Sequence, residues 1–407
     1  MLAPARLGRG FRWLLASSWV SNLGDGIGLA AGPLVVASLT RSPQLVALAA
    51  TVTWLPPLLF GLFAGALTDR LDRRRIVVGV DLVRTAVLVV LVLAVVTHRV
   101  SITVVLVGLF VLGTAEVFAD NASQTLLPML VHRDDLAIAN ARLQGGFITL
   151  NQLAGPPIGA AMFAVGTAVP FGAQAAAVAF AAVAISRMTL PPHGTAPGER
   201  VRLHADIAAG LRWVRHHPAV RTLVLTIFTF NITFGAAWSV IVLYATQRLG
   251  LGAIGFGLLT TVSAAGGLVG TASYGWITRR ISLGNLMRVG LVVETLTHLG
   301  LALTTSAWVA LPIFFVFGAH AFVWGTTSVT VRQRAVPAEL QGRVGSVNLV
   351  GVYGGLVLGS GLGGLIAQHA GLAAPFWFAF VGSAVFLVLI WPQLVHIAHT
   401  DERPVAG

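Results

Sequence analysis

The chain has 407 residues, of which 56% are hydrophobic and 10% charged, and it contains no cysteine. Soluble domains carry about 25% charged residues, so this composition excludes a soluble enzyme. The lack of cysteine excludes disulfides, iron–sulfur clusters and thiolate metal sites. The net charge of +12 comes from arginine without any lysine. These arginines lie between apolar segments rather than on one basic face, so nucleic-acid binding is not expected.

Apolar segments long enough to cross a bilayer recur along the whole chain, each about 20 residues for a core of about 30 Å. Hydropathy predicts twelve membrane-spanning helices, at residues 13–39, 44–67, 76–97, 102–127, 140–165, 168–190, 219–246, 252–277, 285–306, 308–330, 343–368 and 374–396. We therefore expect an all-α, multi-pass membrane protein. Arginines concentrate in alternate connections, and the positive-inside rule then places both termini in the cytoplasm of a protein of the cell membrane.

One long connection, residues 191–218, divides the chain. Its Pro191-Pro192 start cannot continue a helix. Further on it carries four apolar residues at the spacing of one helical face, Leu203, Ile207, Leu211 and Val214. This pattern predicts an interfacial amphipathic helix between an N-terminal six-helix bundle, 1–190, and a C-terminal one, 219–407.

The two halves repeat each other in sequence. At an offset of 209, Asn22 and Gly26 fall on Asn231 and Gly235, and near an offset of 204 the segment 155–160 (GPPIGA) falls on 359–364 (GSGLGG). Parallel six-plus-six repeats build alternating-access transporters, with the substrate site near the bilayer midplane between the repeats.

The connection between predicted spans 2 and 3 reads GALTDRLDRRR at residues 65–75. It resembles the major facilitator signature G-x-L-x-D-R-x-G-R-K/R-x, with Asp72 where the family usually has glycine. The resemblance extends over the whole chain and implies the major facilitator fold. We expect a cytoplasmic gate motif formed by Gly65, Asp69, Arg70, Arg73, Arg74 and, on span 4, Asp120.

The expected role of this motif is a latch between the halves. The Asp69 carboxylate would face the positive N-terminal end of span 11, an attraction of about 0.3–1 kcal/mol. Asp120 would pair with an arginine of the 70–75 loop. The alternative is that these arginines only fix the topology.

Span 5 carries a second motif, NQLAGPPIGA at residues 151–160. It is similar to the antiporter motif of drug exporters, G-x3-G-P-x2-G-G. Gly155 and Gly159 lie on one face and permit close helix contact, while Pro156 releases a backbone carbonyl and bends the span. We expect this seam to move against the other half; ordinary helix packing is the alternative.

Acidic residues inside spans indicate where the chemistry lies, because a charge at the centre of a membrane helix costs about 2.5–3.5 kcal/mol. Asp25 lies roughly 18 Å into span 1 at 1.5 Å per residue, and we expect it to be a lone acid that binds a proton or cation. The alternative is a structural carboxylate satisfied by neighbouring helices. Glu116 on span 4 is a second candidate. Asp81 and Arg84 are one turn apart and are expected to neutralise each other. Glu294, which aligns with Arg84 at an offset of 210, is interpreted as structural, and metal-site spacing is absent.

Three further segments resemble one exporter branch of the superfamily, which includes macrolide-efflux and enterobactin-export proteins; they are residues 11–26, 120–141 and 211–218. The resemblance implies efflux of bulky amphipathic compounds driven by proton entry. In this interpretation Asp25 and Glu116 exchange protons against substrate. The expected cavity-lining residues are Asn22, Gln152, Asn231, Phe234 and Trp238.

Three other functions are alternatives to an exporter. An importer or facilitator of a small polar nutrient would share the fold, and the direction of flux discriminates it. An intramembrane enzyme would need a nucleophile with a base, a cluster that the sequence does not present. A sensor or scaffold would bind without flux. The expected partners are a small-molecule substrate, protons and lipid, with no cofactor or metal, and the chain is expected to be a monomer.

Overall fold

The computed structural model describes residues 7–68, 71–188 and 203–394. Asp69, Arg70 and most of the connection before residue 203 lie outside these ranges. The described part contains fifteen α-helices, α1 to α15 in chain order: Gly8–Leu39, Pro43–Thr68, Arg73–Val96, Ile102–Leu130, Leu136–Gly146, Gly155–Val165, Val169–Ser186, Leu203–His216, Pro218–Trp238, Ile241–Leu243, Ala253–Thr278, Leu283–Leu303, Ala307–Ala335, Gln341–Ala370 and Ala374–Ile390.

Eleven helical segments in the described ranges are long and apolar enough to cross a membrane. They correspond to eleven of the twelve predicted spans. The predicted span 5 instead consists of three consecutive helical segments, α5, a π-helix at Phe147–Ala154, and α6. The π-helix ends directly before Gly155-Pro156-Pro157, where two prolines supply no backbone N–H to the preceding turn. The membrane-helix class is confirmed.

Short polar side chains begin several of these helices. Ser101 accepts a hydrogen bond from the backbone N–H of Val104 at the start of α4, and Ser282 does the same for Asn285 at the start of α12. Asp72 accepts bonds from the N–H groups of Arg74 and Arg75, at 3.0 and 3.3 Å. The residue that departs from the family signature therefore caps α3.

The chain divides into two compact units. The first contains residues 1–41, 52–201 and 252–261, and the second contains 42–51, 202–251 and 262–407. Both units thus include one segment from the other half of the sequence, namely the start of α2 and the start of α11.

In the first unit, α1 packs against α6 through glycines. A Cβ added at Gly155 would lie 2.5 Å from the Cα of Gly26, and one at Gly159 would lie 2.3 Å from the carbonyl oxygen of Ile27. Neither glycine can carry a side chain without moving α1. The i, i+4 spacing predicted from the sequence does permit close helix contact, here with α1 of the same unit. The segment also meets the second half of the sequence, because a Cβ at Gly257 of α11 would lie 2.6 Å from the Cβ of Ala160. Its movement against that half stays a prediction.

The second unit repeats this seam between α9 and α14. A Cβ at Gly363 would lie 2.2 Å from the carbonyl oxygen of Ala236. In the sequence repeat, Gly363 corresponds to Gly159 at an offset of 204 residues, and Ala236 corresponds to Ile27 at an offset of 209. The two offsets found in the sequence therefore describe the same backbone contact in both units.

The predicted amphipathic helix is present as α8. It packs on α14, where a Cβ at Gly210 would lie 2.5 Å from the carbonyl oxygen of Arg343, and Val214 is buried while Leu211 is 58% exposed. The predicted apolar face is therefore only partly buried, because α8 contacts α14 through Gly210 and Val214. The side chains at 203–207 lie outside the described part.

The seam yields a stability prediction. Gly363→Ala should destabilise the protein by about 1–3 kcal/mol, the usual cost of overpacking, because the new methyl group collides with the backbone of α9. The measurement is the thermal unfolding midpoint of the detergent-purified protein.

Gly361→Ala is the matched control on the same helix. Nothing lies within 4 Å of a Cβ at Gly361, and alanine favours a helix over glycine by about 1 kcal/mol. This variant should be as stable as the wild type or more so. Equal destabilisation by both substitutions would contradict the close α9–α14 contact.

Candidate functional site

A buried guanidinium occupies the centre of the first unit. Arg84 of α3 is 4% exposed and donates to two carboxylates, Asp81 on its own helix and Asp25 on α1. The distance from Arg84 Nη1 to Asp81 Oδ1 is 3.2 Å, and Arg84 Nη2 bonds to Asp25 Oδ1. The bond between α1 and α3 is therefore an ion pair in which both side chains are largely shielded from solvent.

Two neutral side chains complete the surroundings of Asp25. Gln174 of α7 donates through Nε2 to Asp25 Oδ1 at 3.2 Å, and Ser21 donates to Oδ2 at 3.3 Å. α7 comes this close because α1 carries glycine at the contact. A Cβ at Gly28 would lie 2.8 Å from Oε1 of Gln174.

The expectation that Asp25 is a lone acid is wrong. Its carboxylate faces an arginine because α7 packs against both α1 and α3, so that Arg84 reaches Asp25 from α3. The expected Asp81–Arg84 pair is confirmed, but the guanidinium is shared between two acids. Whether Asp25 binds a proton stays a prediction.

Two further carboxyl groups lie within electrostatic range. Glu116 interacts with Asp25 and Arg84, and so does Asp120. Both are solvent-accessible on α4. Among the described arginines, Arg84 acts on Asp120. Arg70 lies outside the described residues, so the expected partner of Asp120 in the 70–75 loop stays a prediction. One turn of α4 brings both acids to the face that looks towards Arg84.

The loop arginines have other contacts. Arg73 Nη1 lies 3.3 Å from the sulfur of Met129 and 3.5 Å from the carbonyl oxygen of Thr125, both on α4. Arg74 donates to the carbonyl of Ser186 at the end of α7. These residues bind the loop to its own unit. Gly65 lies near the end of α2, whereas Asp69 and Arg70 lie outside the described residues, so the latch stays a prediction.

The polar residues expected to line a cavity are held by local bonds. In the first unit, Asn22 donates to the carbonyl of Ser18 at 2.7 Å, and Gln152 donates to Asn151 at 2.8 Å. In the second unit, Asn231 donates to the carbonyl of Ile227 at 2.7 Å. All three side chains are half-buried, and each amide oxygen stays available to a ligand.

The predicted aromatic residues of the second unit stack on each other. The ring centroids of Phe234 and Trp238 are 4.4 Å apart, and Phe317 of α13 lies 4.6 Å from Trp238. Phe234 and Trp238 are half-buried. With Phe317 they form an aromatic surface on α9 and α13 that is partly accessible at Phe234 and Trp238.

Sequence reasoning missed the residues that surround Asp25. Gln174 was not considered because a lone glutamine in an apolar span has no periodic pattern. Arg84 was assigned to Asp81 alone. A buried arginine on span 3 with a buried acid on span 1 was the available signal, since each requires an opposite charge in an apolar environment.

The fold and the charged interior define a class. Long apolar helices in two repeated units are typical of a major facilitator transporter. A solved structure of a nucleoside transporter, NupG, shares this fold, with a TM-score of 0.72 over 98% of this chain and all of the other, at 12% sequence identity.

The chain belongs to the transmembrane secretion effector family of the major facilitator superfamily, whose family model matches residues 1–405. The multidrug efflux pump Tap of Mycolicibacterium fortuitum is 31% identical over 94% of this chain and 92% of its own length. Macrolide efflux protein A of Streptococcus pyogenes is 22% identical over 89% of this chain and 90% of its own. The enterobactin exporter EntS of Salmonella typhimurium is 23% identical, over 98% and 96%.

These matches confirm the predicted exporter branch. The chain is a multi-pass membrane exporter of the major facilitator type. Families of this kind transport small molecules and are not enzymes.

Arg84, which Asp25 and Asp81 share, gives a second prediction about stability. Arg84→Met should destabilise the protein by about 3–5 kcal/mol, because it leaves buried carboxylates without their cation. Adding Asp25→Asn to Arg84→Met should restore part of that loss, since one of the two uncompensated charges is then removed. The four proteins of this double-mutant cycle are compared by thermal unfolding, and strictly additive effects would contradict the Arg84–Asp25 pair.

Proposed function

We propose that the protein is a proton-coupled antiporter that exports bulky amphipathic small molecules by alternating access. The observation that carries the proposal is the charge balance in the first unit. One buried arginine faces Asp25 and Asp81, with Glu116 and Asp120 in electrostatic range. Among the described residues, two carboxyl groups contact this guanidinium and two more lie within its electrostatic range, so the site has room for protons.

Asp25 is the group of this set whose protonation changes a contact between helices. Asp81 and Arg84 are three residues apart on α3 and stay together however the helices move. The bond from Arg84 to Asp25 joins α3 to α1 instead. Protonation removes the negative charge of Asp25, weakens this bond and leaves the guanidinium with Asp81.

Gln174 allows Asp25 to exist in both forms. Its amide donates to the ionised carboxylate at 3.2 Å, and after rotation its oxygen accepts from a protonated carboxyl group. The neutral acid therefore retains a hydrogen-bond partner on α7. The site can exchange a proton without leaving a buried polar group unsatisfied.

Proton entry supplies the driving force. Each proton contributes about 2.3 kcal/mol per 100 mV of membrane potential, in addition to the pH gradient. A substrate that binds better to one protonation state of the unit shifts the equilibrium between the states of the transporter. Proton and substrate transport are thus coupled if protonation of Asp25 and substrate binding both depend on the same state of the transporter.

The substrate class follows from the relatives and the aromatic surface. The names of the relatives specify multiple drugs, macrolides and enterobactin as their cargo. Phe234 and Trp238 offer stacked rings, which bind apolar and aromatic groups with little directional demand. We infer bulky amphipathic compounds, and we assign the half-buried amides of Asn22, Gln152 and Asn231 to hydrogen bonding with them.

The proposal includes the setting of the protein. The arginine distribution favours a cell-membrane protein with both termini in the cytoplasm, acting as a monomer with an N-terminal and a C-terminal six-helix bundle. Asp69 would then act as a latch on the cytoplasmic side. Gly155, Pro156 and Gly159 hold α6 against α1, so the unit that carries Asp25 moves as one body.

The test is transport by purified protein in proteoliposomes with ethidium, erythromycin and enterobactin as probes. A pH gradient of about one unit should drive at most about tenfold accumulation of a neutral probe per proton exchanged. A protonophore should abolish it. Asp25→Asn should lose gradient-driven accumulation and retain probe exchange without a gradient.

Thr85→Val is the matched control, since it changes the residue next to Arg84 and removes only a hydroxyl bonded to a backbone carbonyl. It should transport like the wild type. Full accumulation by Asp25→Asn would overturn the coupling role of Asp25. Flux that runs only inwards with the gradient would favour the importer of a small polar nutrient.

A further inference from the structure

A second pair of ionisable groups lies in the second unit. Glu294 of α12 and His320 of α13 approach each other, with 3.5 Å between Glu294 Oε2 and His320 Nε2. Their side chains are 12% and 7% exposed. Glu294 occupies the position that Arg84 has in the first unit, 210 residues earlier.

A third group, His298, lies one helical turn beyond Glu294 on α12. Its ring is fully buried, and neither ring nitrogen has a hydrogen-bond partner in the described part of the chain. His298 and His320 are close enough to interact electrostatically. The ring of His298 also meets Trp238 edge to face, with centroids 5.9 Å apart.

Other charges are engaged elsewhere. Arg288 of α12 bonds to Asn285 and lies over the ring of Trp391. On α13, Arg332 and Arg334 are roughly 18 and 21 Å along the helix from His320 at 1.5 Å per residue. The packed helix α15 carries no ionisable residue. Arg221 of α9 donates to the backbone carbonyl of Arg215 in α8, and Tyr274 of α11 accepts a hydrogen bond from Thr327. Among the described residues, the ionisable groups that face Glu294 are therefore the two histidines.

The charge on Glu294 must be compensated by a proton. A carboxylate in an apolar interior requires a cation or a proton, and the partner in contact is an imidazole that is neutral unless protonated. One proton, bonded to either Glu294 Oε2 or His320 Nε2, gives the pair zero net charge. Loss of that proton leaves the pair with one negative charge.

We propose that Glu294, His320 and His298 form a second proton-holding site, in the second unit, that loads and releases one proton during the transport cycle. The proposal extends proton coupling beyond Asp25, and only the use of this proton in transport rests on the proposed function. The existence of the proton-holding site itself is inferred from the contacts of α12 and α13.

His298 is the relay group of this site. A buried ring nitrogen without a partner is destabilising, so a purely structural position would favour an apolar side chain. Its place at i+4 from Glu294 puts both on one face of α12. Burial disfavours a lasting charge on the imidazole, so the proton rests on the Glu294–His320 pair and a neutral ring nitrogen of His298 relays it.

The aromatic surface connects this site to cargo. Phe317 lies 6.2 Å from His320, and Trp238 lies between Phe317 and His298. A compound that stacks on Phe234 and Trp238 therefore borders the imidazoles. Its binding changes the surroundings of the proton without direct contact with Glu294.

The first experiment counts protons. Purified wild type, Glu294→Gln, His320→Gln, Asp25→Asn and Thr295→Val are titrated in detergent from about pH 9 to about pH 5, a range that covers histidine and perturbed carboxyl groups. Glu294→Gln should take up about one proton fewer than the wild type, because the isosteric amide cannot form the pair. Thr295→Val, a neighbouring buried change without an ionisable group, should take up the same number.

The variants separate the two proposals. Smaller proton uptake by Glu294→Gln and by His320→Gln than by the wild type supports the second site, whatever the uptake of Asp25→Asn. Equal uptake by Glu294→Gln and the wild type overturns it, and a deficit confined to Asp25→Asn would leave the proposed function standing alone. No deficit in any variant would contradict both.

The second experiment uses His298→Phe, which retains the ring contact with Trp238 and removes the unpartnered nitrogens. It should unfold at a higher temperature than the wild type and yet lose at least tenfold in gradient-driven transport of ethidium, erythromycin or enterobactin. His298→Leu serves as the second variant if phenylalanine does not fit. A variant that is stabilised and fully active would overturn the role of His298, as would one whose transport falls only in proportion to lost stability.

Discussion

The first unit depends on one guanidinium in an apolar interior. Arg84 and Asp25 each carry a charge that a membrane helix does not tolerate alone, and their pairing makes both acceptable. The pair links α3 to α1, and α7 packs against both of these helices. The pair also explains why α1 is rich in glycine at this level, because α6 and α7 must approach closely to exclude water and to place Gln174 against the carboxylate.

The two units share a backbone and differ in their polar chemistry. Gly159 against Ile27 and Gly363 against Ala236 are the same contact, with almost the same spacing. In contrast, Asp25 corresponds to Phe234 at an offset of 209, and Arg84 corresponds to Glu294 at 210. The repeat thus conserves small residues where helices touch and varies the side chains that face inwards. This division gives one unit an ion pair and the other an aromatic surface beside histidines.

Much of the fold could be predicted from the sequence, because hydropathy, helix length and glycine spacing are local properties. The helices, the seam glycines and the repeat offsets follow from such patterns. The partner of Gly159 could not be predicted, since a small-residue face shows that a close contact exists but not with which helix. The same limit applied to Asp25, whose depth was evident along α1 while its neighbour on α3 depended on helix rotation. Span 5 was predicted as one helix, because hydropathy does not register a π-helix ahead of two prolines.

The central claim is that Asp25 leaves its pair with Arg84 when it binds a proton. Isotope-edited infrared difference spectroscopy of the purified protein with ¹³C-labelled aspartate measures this directly. Acidification should produce a protonated-carboxyl band that shifts with the label, is missing in Asp25→Asn and persists in Asp81→Asn. A band that is unchanged in Asp25→Asn would show that Asp25 stays ionised beside Arg84, and the account would be contradicted.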